Sequence, residues 1–410
     1  MRIIRPTSKE VDKIYMRLFY QKKRVKEKVA KILEDVRTNG DEALSRYTRK
    51  FDKVKLKPKQ FRVTEMEISA AFQNISSEFV SCLKIIRENL TNFYSKQIRP
   101  SCWKMKPQEG VVLGEKFHPI EKVGIYIPAG TSPLVSCVYM TVIPARIAQV
   151  KRIIMVTPPS ENGEVNPYIL AVASLLNVNE IYKIGGAQAI AALAFGTKTI
   201  PCVDKIIGPG NIYVTEAKRQ VFGFVDIDMI AGPTELVIIA NKYSNPDYVI
   251  SDLLSQIEHV GGHAILITPS KKLAKIVRAR IQQEKNCFII LVKNMEEAVE
   301  INNRIAPEHT EILINNPNRI FKKIMNTGAV FLGPYSPTAV GDYFAGPSHV
   351  LPTCGTARFF SGLSLNDFLR STHFISYSKK ALEYASSVIE KIAKIEGLNK
   401  HWESIEARFK

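Results

Sequence analysis

The segment KVGIYIPAG, residues 122–130, sets the pattern on which the fold prediction rests. Residues 123–127 form an apolar run short enough to be a buried strand, and Pro128-Ala129-Gly130 ends it in a tight loop. Similar runs recur at residues 152–156, 181–184, 205–207 and 236–240, with helical spacing at 139–150, 167–175, 187–195 and 214–222. Strands that alternate with crossover helices in this way predict a parallel sheet covered on both faces.

A second alternating region follows. Its predicted strands are residues 264–268, 288–292, 311–314 and 329–332, and its predicted helices are 248–258, 273–283 and 295–305. The fold class is therefore α/β, with two Rossmann-like parallel-sheet domains, one inserted in the other, plus helical N- and C-terminal extensions.

Helical periodicity dominates both ends of the chain. Apolar residues recur with helical spacing over 25–36 and stop at Asn39-Gly40, after which Asp41 begins a second helix; residues 64–95 hold another helical pair. We place the boundaries as follows: residues 1–20 are an N-terminal helical extension, 21–127 with 235–364 a discontinuous α/β domain, 128–234 an inserted Rossmann-like domain, and 365–410 a helical tail. The N-terminal helices are expected to pack with the later half of the discontinuous domain.

The composition argues against several classes of protein. The 410 residues carry a formal charge of +18, but Lys and Arg are spread along the chain without a nucleic-acid-binding motif, so we expect a basic surface that attracts anionic ligands rather than nucleic acid. No apolar run approaches the ~20 residues of a membrane span. The six cysteines show no metal-binding or paired spacing. A cytoplasmic protein with no membrane partner is the expectation.

Three loops rich in Gly and Pro follow predicted strands, at residues 128–130, 185–188 and 208–211. Their backbone N–H groups, at the start of helices, would suit an anionic ligand such as a nucleotide. None of them is a GxGxxG motif, so ordinary tight turns remain the alternative.

The segment PTAVGDYFAGPSHVLPT, residues 337–353, places Asp342 and His349 in a stretch whose glycines and prolines predict a fixed, irregular loop. Elsewhere a histidine stands close to an amide or acid in the pairs Gln256 with His259, Glu308 with His309 and Glu396 with His401. One such pair is usually a structural hydrogen bond. Four that converged in the fold would form a site.

These residue types suit metal binding and acid–base chemistry. Gln256 and His259 are three apart near a helix end, and Asp342 and His401 would add an oxygen and a nitrogen ligand, a set that suits zinc without excluding manganese or cobalt. His259 with His263 is a rival pairing. Glu308 and His309 follow Pro307 and would serve different proton-transfer steps, although the acid of a helix N-terminus is the simpler interpretation.

Long motifs in the chain resemble the histidinol dehydrogenase family, in order and over nearly its whole length. They include KVGIYIPAG, GGAQAIAALAFGT, IIGPGNIYVTEAKRQVFG, IDMIAGPTELVIIA, DLLSQIEH, APEHTEIL, AVGDYFAGPSHVLPTCGTARFFSGLSLNDF and EGLNKH. The resemblance implies a zinc- and NAD-dependent enzyme that oxidises L-histidinol to L-histidine through an aldehyde, the last step of histidine biosynthesis.

The resemblance also implies residue roles. The zinc ligands, one ion per site, would be Gln256, His259, Asp342 and His401; the acid–base pair would be His309, acting on the alcohol, and Glu308, activating water. The NAD contacts would be Tyr126, Gln188 and Asn211. The substrate would be held by Thr234, His349 and Glu396, with His309 and the four zinc ligands around it.

The family further implies a homodimer in which the C-terminal tail completes the partner's site. The sequence departs from the family pattern at Ala129 (usually Gly), at Thr234 (usually Ser) and at Gly261-Gly262-His263, and we expect these changes to tune affinity. A dehydrogenase of the same fold for another amino or sulfonated alcohol is the nearest alternative function. A non-catalytic basic binding protein is the alternative from a different class.

Overall fold

The computed structural model describes residues 1–7, 11, 14, 23–129, 132–282, 284 and 286–410. It divides into two compact units. The first comprises Met1–Gln97 and Glu121–Phe368, and the second comprises Ile98–Ile120 and Leu369–Lys410.

Strands and helices alternate through most of the described chain. The strands are β1 (Arg2–Ile4), β2 (Cys102–Met105), β3 (Val111–Pro119), β4 (Lys122–Tyr126), β5 (Arg152–Thr157), β6 (Ile181–Lys183), β7 (Lys205–Ile207), β8 (Asp226–Ile227), β9 (Glu235–Ala240), β10 (His263–Thr268), β11 (Cys287–Leu291), β12 (His309–Leu313), β13 (Ala329–Leu332) and β14 (Leu369–Tyr377). The helices are α1 (Lys23–Phe51), α2 (Glu65–Gln73), α3 (Ser77–Ser95), α4 (Val135–Ile147), α5 (Pro167–Leu175), α6 (Gly186–Phe195), α7 (Ile212–Val221), α8 (Pro246–Ile257), α9 (Lys271–Arg280), α10 (Met295–Ile305), α11 (Pro317–Phe321), α12 (Thr338–Tyr343), α13 (Lys379–Ile395) and α14 (Asn399–Glu406).

The first parallel sheet is built from β4 to β8. Its spatial order is β6-β5-β4-β7-β8, and every pairing in it is parallel. Numbered along the chain this order is 3-2-1-4-5, so the direction of winding reverses between β4 and β7. Such a switch point is where α/β sheets bind ligands, at the carboxyl ends of the strands.

The second parallel sheet has the order β1-β11-β10-β9-β12-β13. Apart from the edge strand β1 it repeats the order 3-2-1-4-5 of the first sheet. Its central strands β9 and β12 are buried along their whole length because helices cover both faces. Two Rossmann-like parallel sheets are thus confirmed.

Two expectations about the organisation of the chain, one boundary and one packing partner, differ from the structure. Strand β4 belongs to the first sheet, so the inserted unit begins before residue 128. Helix α1 turns sharply at Gly40 (φ 48°), as predicted, but its apolar face joins the core of the first sheet, beside α6 and α7, and does not pack with the later half. Periodicity identifies which face of a helix is apolar, whereas the partner of that face depends on the complete fold.

The chain ends also differ from the prediction. Arg2–Ile4 form an edge strand beside β11, and the predicted helical extension over residues 1–20 otherwise falls mostly on residues 8–10, 12–13 and 15–20, outside the described part. In the second unit, β14 pairs antiparallel with β3, which pairs with β2, and helices α13 and α14 follow. A helical C-terminal extension is confirmed, but its α-helices begin only at Lys379, after the strand β14. Of the described helices, none combines the length and the apolar character that a bilayer span requires.

Candidate active site

Glu308 and His309 lie at the amino end of β12. Ala306 adopts a left-handed conformation (φ 50°) that ends α10, and His309 then enters the sheet opposite Leu236 of β9 and Ala329 of β13. The simpler interpretation of a helix N-terminus is therefore wrong. The two side chains are fixed by a central strand of the second sheet.

The carboxyl group of Glu308 is buried and hydrogen-bonded. Its Oε2 accepts the backbone N–H of Glu235 at 3.0 Å, and the side chain also bonds the hydroxyl of Thr234. Burial raises the pKa of Glu308 to about 8, because the loss of hydration outweighs these two hydrogen bonds, which favour the charged form. A carboxyl group with this pKa can exchange a proton near neutral pH.

The imidazole of His309 lies between two carboxyl groups. Its Nδ1 is 3.8 Å from Oε2 of Glu308, and its Nε2 is 3.8 Å from Oδ1 of Asp342. Both nitrogens are buried and lack a hydrogen-bond partner of good geometry among the described residues, although the nearby backbone of Glu235 favours the protonated ring. Burial lowers the pKa of His309 to about 4, against the opposing effect of Asp342. The ring is therefore neutral and able to accept a proton.

Asp342 is carried by the short helix α12, which corrects the prediction of an irregular loop over residues 337–353. Pro337 precedes the first turn, where its missing N–H costs nothing, and Gly346 (φ +123°) lies just beyond the helix. Burial raises the pKa of Asp342, while His309 and His259 act to lower it. The carboxyl group thus sits within electrostatic reach of two imidazoles.

His349 is held in a defined tautomer. Its Nδ1 lies 3.0 Å from the backbone oxygen of Asp342, so this nitrogen must carry the proton, and its Nε2 lies 3.3 Å from the Sγ of Cys137. The Cys137 thiol therefore donates to Nε2. Burial raises the pKa of Cys137 to about 12, which keeps the thiol neutral.

A cavity of about 320 Å³ opens among these groups, with His309, Phe331, Asp342 and His349 in its wall. This volume lies at the small end of the range of roughly 300–1,000 Å³ found for ligand pockets. A molecule the size of an amino acid would fit it and would meet two imidazoles and a carboxyl group.

Gln256 and His259 come from the end of α8. Gln256 is buried, and its Nε2 donates to the Thr234 hydroxyl at 3.1 Å. His259 follows the helix and is exposed, yet its charge influences His309, His349 and Asp342. Thr234 therefore links Gln256 to Glu308 in one hydrogen-bonded chain.

The departure at Gly261-Gly262-His263 forms a tight turn after α8. Gly261 has φ +77°, and a side chain on Gly262 would meet the backbone oxygen of Gln256 at 2.5 Å. His263 begins β10, and its N–H donates to the Thr234 oxygen at 3.0 Å. The two glycines thus allow the turn to pack closely against the backbone of Gln256 and against Thr234.

The donor chemistry near Asp342 fits a divalent metal only in part. Within the described residues, no three His, Cys, Asp or Glu side chains are grouped closely enough to hold an ion by themselves. Two groups of the predicted set, His259 and Asp342, are electrostatically coupled, and Gln256 offers an amide oxygen because its nitrogen is used by Thr234. An imidazole, a carboxylate and an amide are suitable ligands, but they need at least one more.

Glu396 and His401 belong to the second unit. Glu396 follows the last turn of α13, His401 lies in α14, and both side chains are exposed. The groups that the first unit brings together are Thr234, Gln256, Glu308, His309, Asp342 and His349, with His259 beside them.

Two of the predicted cofactor residues, Tyr126 and Asn211, follow the strands of the switch point, and the third, Gln188, lies in the helix that follows the edge strand β6. The hydroxyl of Tyr126, at the end of β4, accepts the N–H of Gly186 at 3.1 Å. Gln188, in the first turn of α6, is buried, and both of its amide atoms lack a hydrogen-bond partner in the described part of the chain. Asn211 caps α7 through its Oδ1, which leaves its exposed amide nitrogen to donate.

Two site features were not predicted from the sequence. Cys137 was interpreted as a packing residue, and nothing in its sequence context indicates a contact with His349.

The second feature is the buried ion pair of Lys218 and Asp228, which holds the third glycine loop in place. Asp228 accepts the N–H of Gly208 at 2.8 Å, and Lys218 donates to the Gly208 oxygen at 2.9 Å. Opposite charges eight or more residues apart carry no local signal of pairing.

The fold and the site together fit the class of α/β enzymes, with a buried acid and a buried base beside a cavity of small-ligand size. The sequence matches the family model described as "Histidinol dehydrogenase" over residues 16–409. Curated histidinol dehydrogenases from Clostridium acetobutylicum and Heliobacterium mobile are 47% and 43% identical to it, over 92% and 100% of this chain and 91% and 99% of theirs.

A solved structure gives the same result. The crystal structure of histidinol dehydrogenase from Elizabethkingia anophelis matches with a TM-score of 0.92 and 37% identity, covering 100% of this chain and 98% of that chain. The chain belongs to the histidinol dehydrogenase family and is an oxidoreductase.

Proposed function

We propose that this enzyme oxidises L-histidinol to L-histidine through L-histidinaldehyde, in two NAD-dependent steps, as the last reaction of histidine biosynthesis in the cytoplasm. The observation that carries the proposal is a buried acid and a buried base at neighbouring positions, Glu308 and His309, beside a small cavity, where burial raises the pKa of the first and lowers the pKa of the second. Two successive oxidations need two proton acceptors with different tasks, and environments that separate the pKa values of two groups provide them.

In the first oxidation His309 is the base. Its neutral ring lacks a hydrogen-bond partner of good geometry among the described residues and lines the cavity, so one of its nitrogens can take the proton of the substrate hydroxyl. The imidazolium formed would be stabilised by the carboxylate of Asp342, whose Oδ1 is 3.8 Å from Nε2 of the ring.

In the second oxidation Glu308 is the base. Its carboxylate removes a proton from the water that adds to the aldehyde, which gives the gem-diol that is oxidised next. Thr234 and the N–H of Glu235 hold the carboxyl group in place for this step. His349 and Glu396 are proposed to orient the substrate.

NAD, when bound, accepts the hydride of each oxidation, and Tyr126, Gln188 and Asn211 are the residues proposed to hold it. Support comes from the position of Tyr126 and Asn211 after the two strands of the switch point, and from the hydrogen bond that joins Tyr126 to the start of the helix that carries Gln188. The buried amide of Gln188, which lacks partners among the described residues, would be satisfied by a polar cofactor.

Zinc, when bound, would position the substrate by holding polar groups of it. We propose Gln256, His259, Asp342 and His401 as its ligands, one ion per site. The donor types suit zinc, and the shortage of ligands in the first unit is consistent with a fourth ligand from a C-terminal tail. The departures at Ala129 and Thr234 are proposed to tune affinity only; Gly130, in the same loop as Ala129, lies outside the described residues.

We further propose a homodimer in which the tail completes the partner's site. Helix α13 supports this, because Tyr384, Val388, Ile392 and Ile395 form an apolar row on it and are 78%, 65%, 51% and 74% exposed. A contiguous exposed apolar row of this kind is typical of a protein–protein interface.

The test is NADH formation with L-histidinol and with L-histidinaldehyde, side by side. We expect two NADH per histidinol, one per aldehyde, loss of activity with a chelator and recovery with zinc. Turnover of other amino or sulfonated alcohols without turnover of histidinol would contradict the substrate assignment and favour the alternative dehydrogenase.

A further inference from the structure

Asp52 is an acidic residue in an unfavourable place. It directly follows Phe51, the last residue of α1, where the helix dipole disfavours a negative charge. Its Oδ2 is buried and has no hydrogen-bond partner among the residues that the structure describes. Burial raises its pKa to about 6. Burial of a carboxyl group without a hydrogen-bond partner is energetically unfavourable, which suggests that a ligand supplies the partner.

The path of the chain places Asp52 at the N-terminal end of α6. The second half of α1 begins beside residues that follow the C-terminal end of α6, since Thr199 bonds Asp41 through its hydroxyl at 2.6 Å. It packs along α6 from there. The segment after Asp52 then returns to the first sheet, where the backbone N–H of Lys183 donates to the backbone oxygen of Phe61 at 2.7 Å, just before α6 begins.

Tyr126 provides independent evidence that Asp52 lies near the start of α6. The Tyr126 hydroxyl bonds the N–H of Gly186, the first residue of α6. Burial is the main reason that the pKa of Tyr126 rises to about 12, and the nearby charge of Asp52 adds to it. Asp52, Tyr126 and the start of α6 therefore surround one small region.

That region has the properties of a polar ligand site. Helix α6 is ten residues long, and its N-terminus presents backbone N–H groups. Gln188, which is 1% exposed, has both amide atoms unpartnered among the described residues, and Gly186 has φ +68° with no side chain to block the approach. Donors and an orphaned carboxyl group thus face the same place.

We propose that the carboxylate of Asp52 binds the 2′- and 3′-hydroxyls of the adenosine ribose of NAD and thereby selects against cofactors that carry a phosphate there. This inference rests on the proposed use of NAD. A carboxylate accepts hydrogen bonds from both hydroxyls of a ribose, whereas it repels a 2′-phosphate. The assignment to the adenosine end follows from the position of the other end. The reacting nicotinamide must lie beside His309, in the site where His349 contacts Cys137 of α4. Asp52 instead lies beside α6.

The test is calorimetric binding of NAD, NADP, AMP, 2′-deoxy-AMP and nicotinamide mononucleotide, without turnover. The proteins are wild type, Asp52→Asn, and Glu42→Gln as a control that removes an exposed charge from the same helix. We expect Asp52→Asn to weaken NAD and AMP binding roughly 10- to 100-fold, as for loss of a hydrogen bond to a charged group, and to reduce the preference for NAD over NADP. Nicotinamide mononucleotide binding and Glu42→Gln should be unchanged.

The wild-type protein also provides a test that needs no variant, because it should bind AMP more tightly than 2′-deoxy-AMP. Equal affinity for those two nucleotides, or weakening of nicotinamide mononucleotide instead of AMP, would overturn the role of Asp52. Equal NAD binding by wild type and Asp52→Asn would do the same while leaving the proposed function intact. If wild type did not bind NAD at all, the cofactor assignment and this inference would both be wrong.

Discussion

At the scale of single residues, the site is governed by how burial acts on acids and bases. Glu308 and His309 are neighbours in the chain and share one desolvated environment, which disfavours the charged form of each. For the acid this raises the pKa and for the base it lowers the pKa. The free enzyme at neutral pH therefore holds a mostly protonated Glu308 and a neutral His309.

The pKa of Glu308 predicts the pH dependence of the second oxidation. Because this pKa is raised to about 8, the carboxylate needed as a base accumulates only as the pH rises through that value. We expect kcat/KM for L-histidinaldehyde to increase from pH 6 to pH 9 with an apparent pKa of about 8. Stopped-flow NADH measurements across this range would check it. The Glu308→Gln variant should lose the rise, and a profile flat above pH 6 in wild type would contradict the assignment.

Replacement of His309 should affect the alcohol step alone. His309→Asn removes the base, so we expect the oxidation of L-histidinol to slow by about 10² to 10⁴, the usual contribution of general base catalysis. Bound zinc should be unchanged, because His309 is not among the proposed ligands. Single-turnover rates and metal content by mass spectrometry test both parts. Zinc loss in this variant would show that the wrong histidine was assigned to catalysis.

At the scale of secondary-structure elements, the loop after β7 depends on a buried ion pair. Lys218 and Asp228 have side chains only 3% and 0% exposed, and together they hold both sides of the Gly208 peptide. Gly208 itself has φ +116°, and the Cβ atom of a side chain there would meet the backbone oxygen of Tyr126 at 2.2 Å. The loop that carries Asn211 is thus held by the Lys218–Asp228 ion pair and packed against β4.

Breaking this ion pair should destabilise the protein strongly. Lys218→Met leaves the carboxylate of Asp228 buried and unpaired, which costs about 3–5 kcal/mol in comparable sites. We expect a loss of that size in urea unfolding, together with weaker NAD binding. Removal of both charges, in Lys218→Met with Asp228→Asn, should cost less than Lys218→Met alone.

A matched control is available on the surface. Arg280 and Asp247 form an ion pair whose side chains are 57% and 67% exposed, so Arg280→Met should change the unfolding free energy by less than about 1 kcal/mol. A similar loss in Arg280→Met and Lys218→Met would mean that burial of the Lys218 pair has no special importance.

The elements were predicted well where hydrophobic pattern alone determines them. The runs of the two parallel sheets are buried on both faces, so their composition indicates strands directly. Helix α12 was missed because Gly341 argues against a helix, although a short turn that packs against β13 tolerates it. Strand β14 was missed because its residues are largely exposed and lack a clear apolar alternation.

The residues of the site were recognised from motifs, while their arrangement was not predictable. Sequence indicates that Glu308 and His309 are chemically suitable, but their pKa shifts arise from burial at the amino end of β12. The bridge that Thr234 makes between Gln256 and Glu308 depends on the register of β9 with β12. Such contacts join segments more than 20 residues apart, so no local pattern encodes them.

At the scale of the whole molecule, the two parallel sheets have the same strand order, but their candidate functional residues lie at opposite ends of the strands. The proposed cofactor residues Tyr126 and Asn211 lie at the carboxyl ends of β4 and β7, the two strands of the switch point, and Gln188 follows the edge strand β6. Glu308 and His309 instead precede the body of β12, at the amino end of its sheet. The rule therefore agrees with the proposed cofactor region and does not extend to the proposed acid–base pair.

The proposed dimer predicts that the exposed row on α13 is needed for activity. Ile392→Glu places a charge within this row, so we expect it to weaken the dimer and lower both zinc content and NADH formation. Lys391→Glu changes an exposed neighbouring side chain on the same helix and should leave the dimer intact. Light scattering after size-exclusion chromatography would measure the mass of each variant. A fully active monomeric Ile392→Glu protein would contradict the dimer as a functional requirement.

Exchange of the tail between subunits can be tested by complementation. Asp342→Asn disables the body of a subunit, and His401→Asn disables its tail, so homodimers of either variant should be inactive and poor in zinc. If the tail serves the partner, a heterodimer of the two pairs an intact body with an intact tail at one of its two sites. Mixing the variants under subunit exchange should then restore activity, at most about a quarter of the wild-type level, since half of the dimers are mixed and each has one intact site. If instead each tail served its own subunit, every site would contain one defect, and mixing would restore nothing.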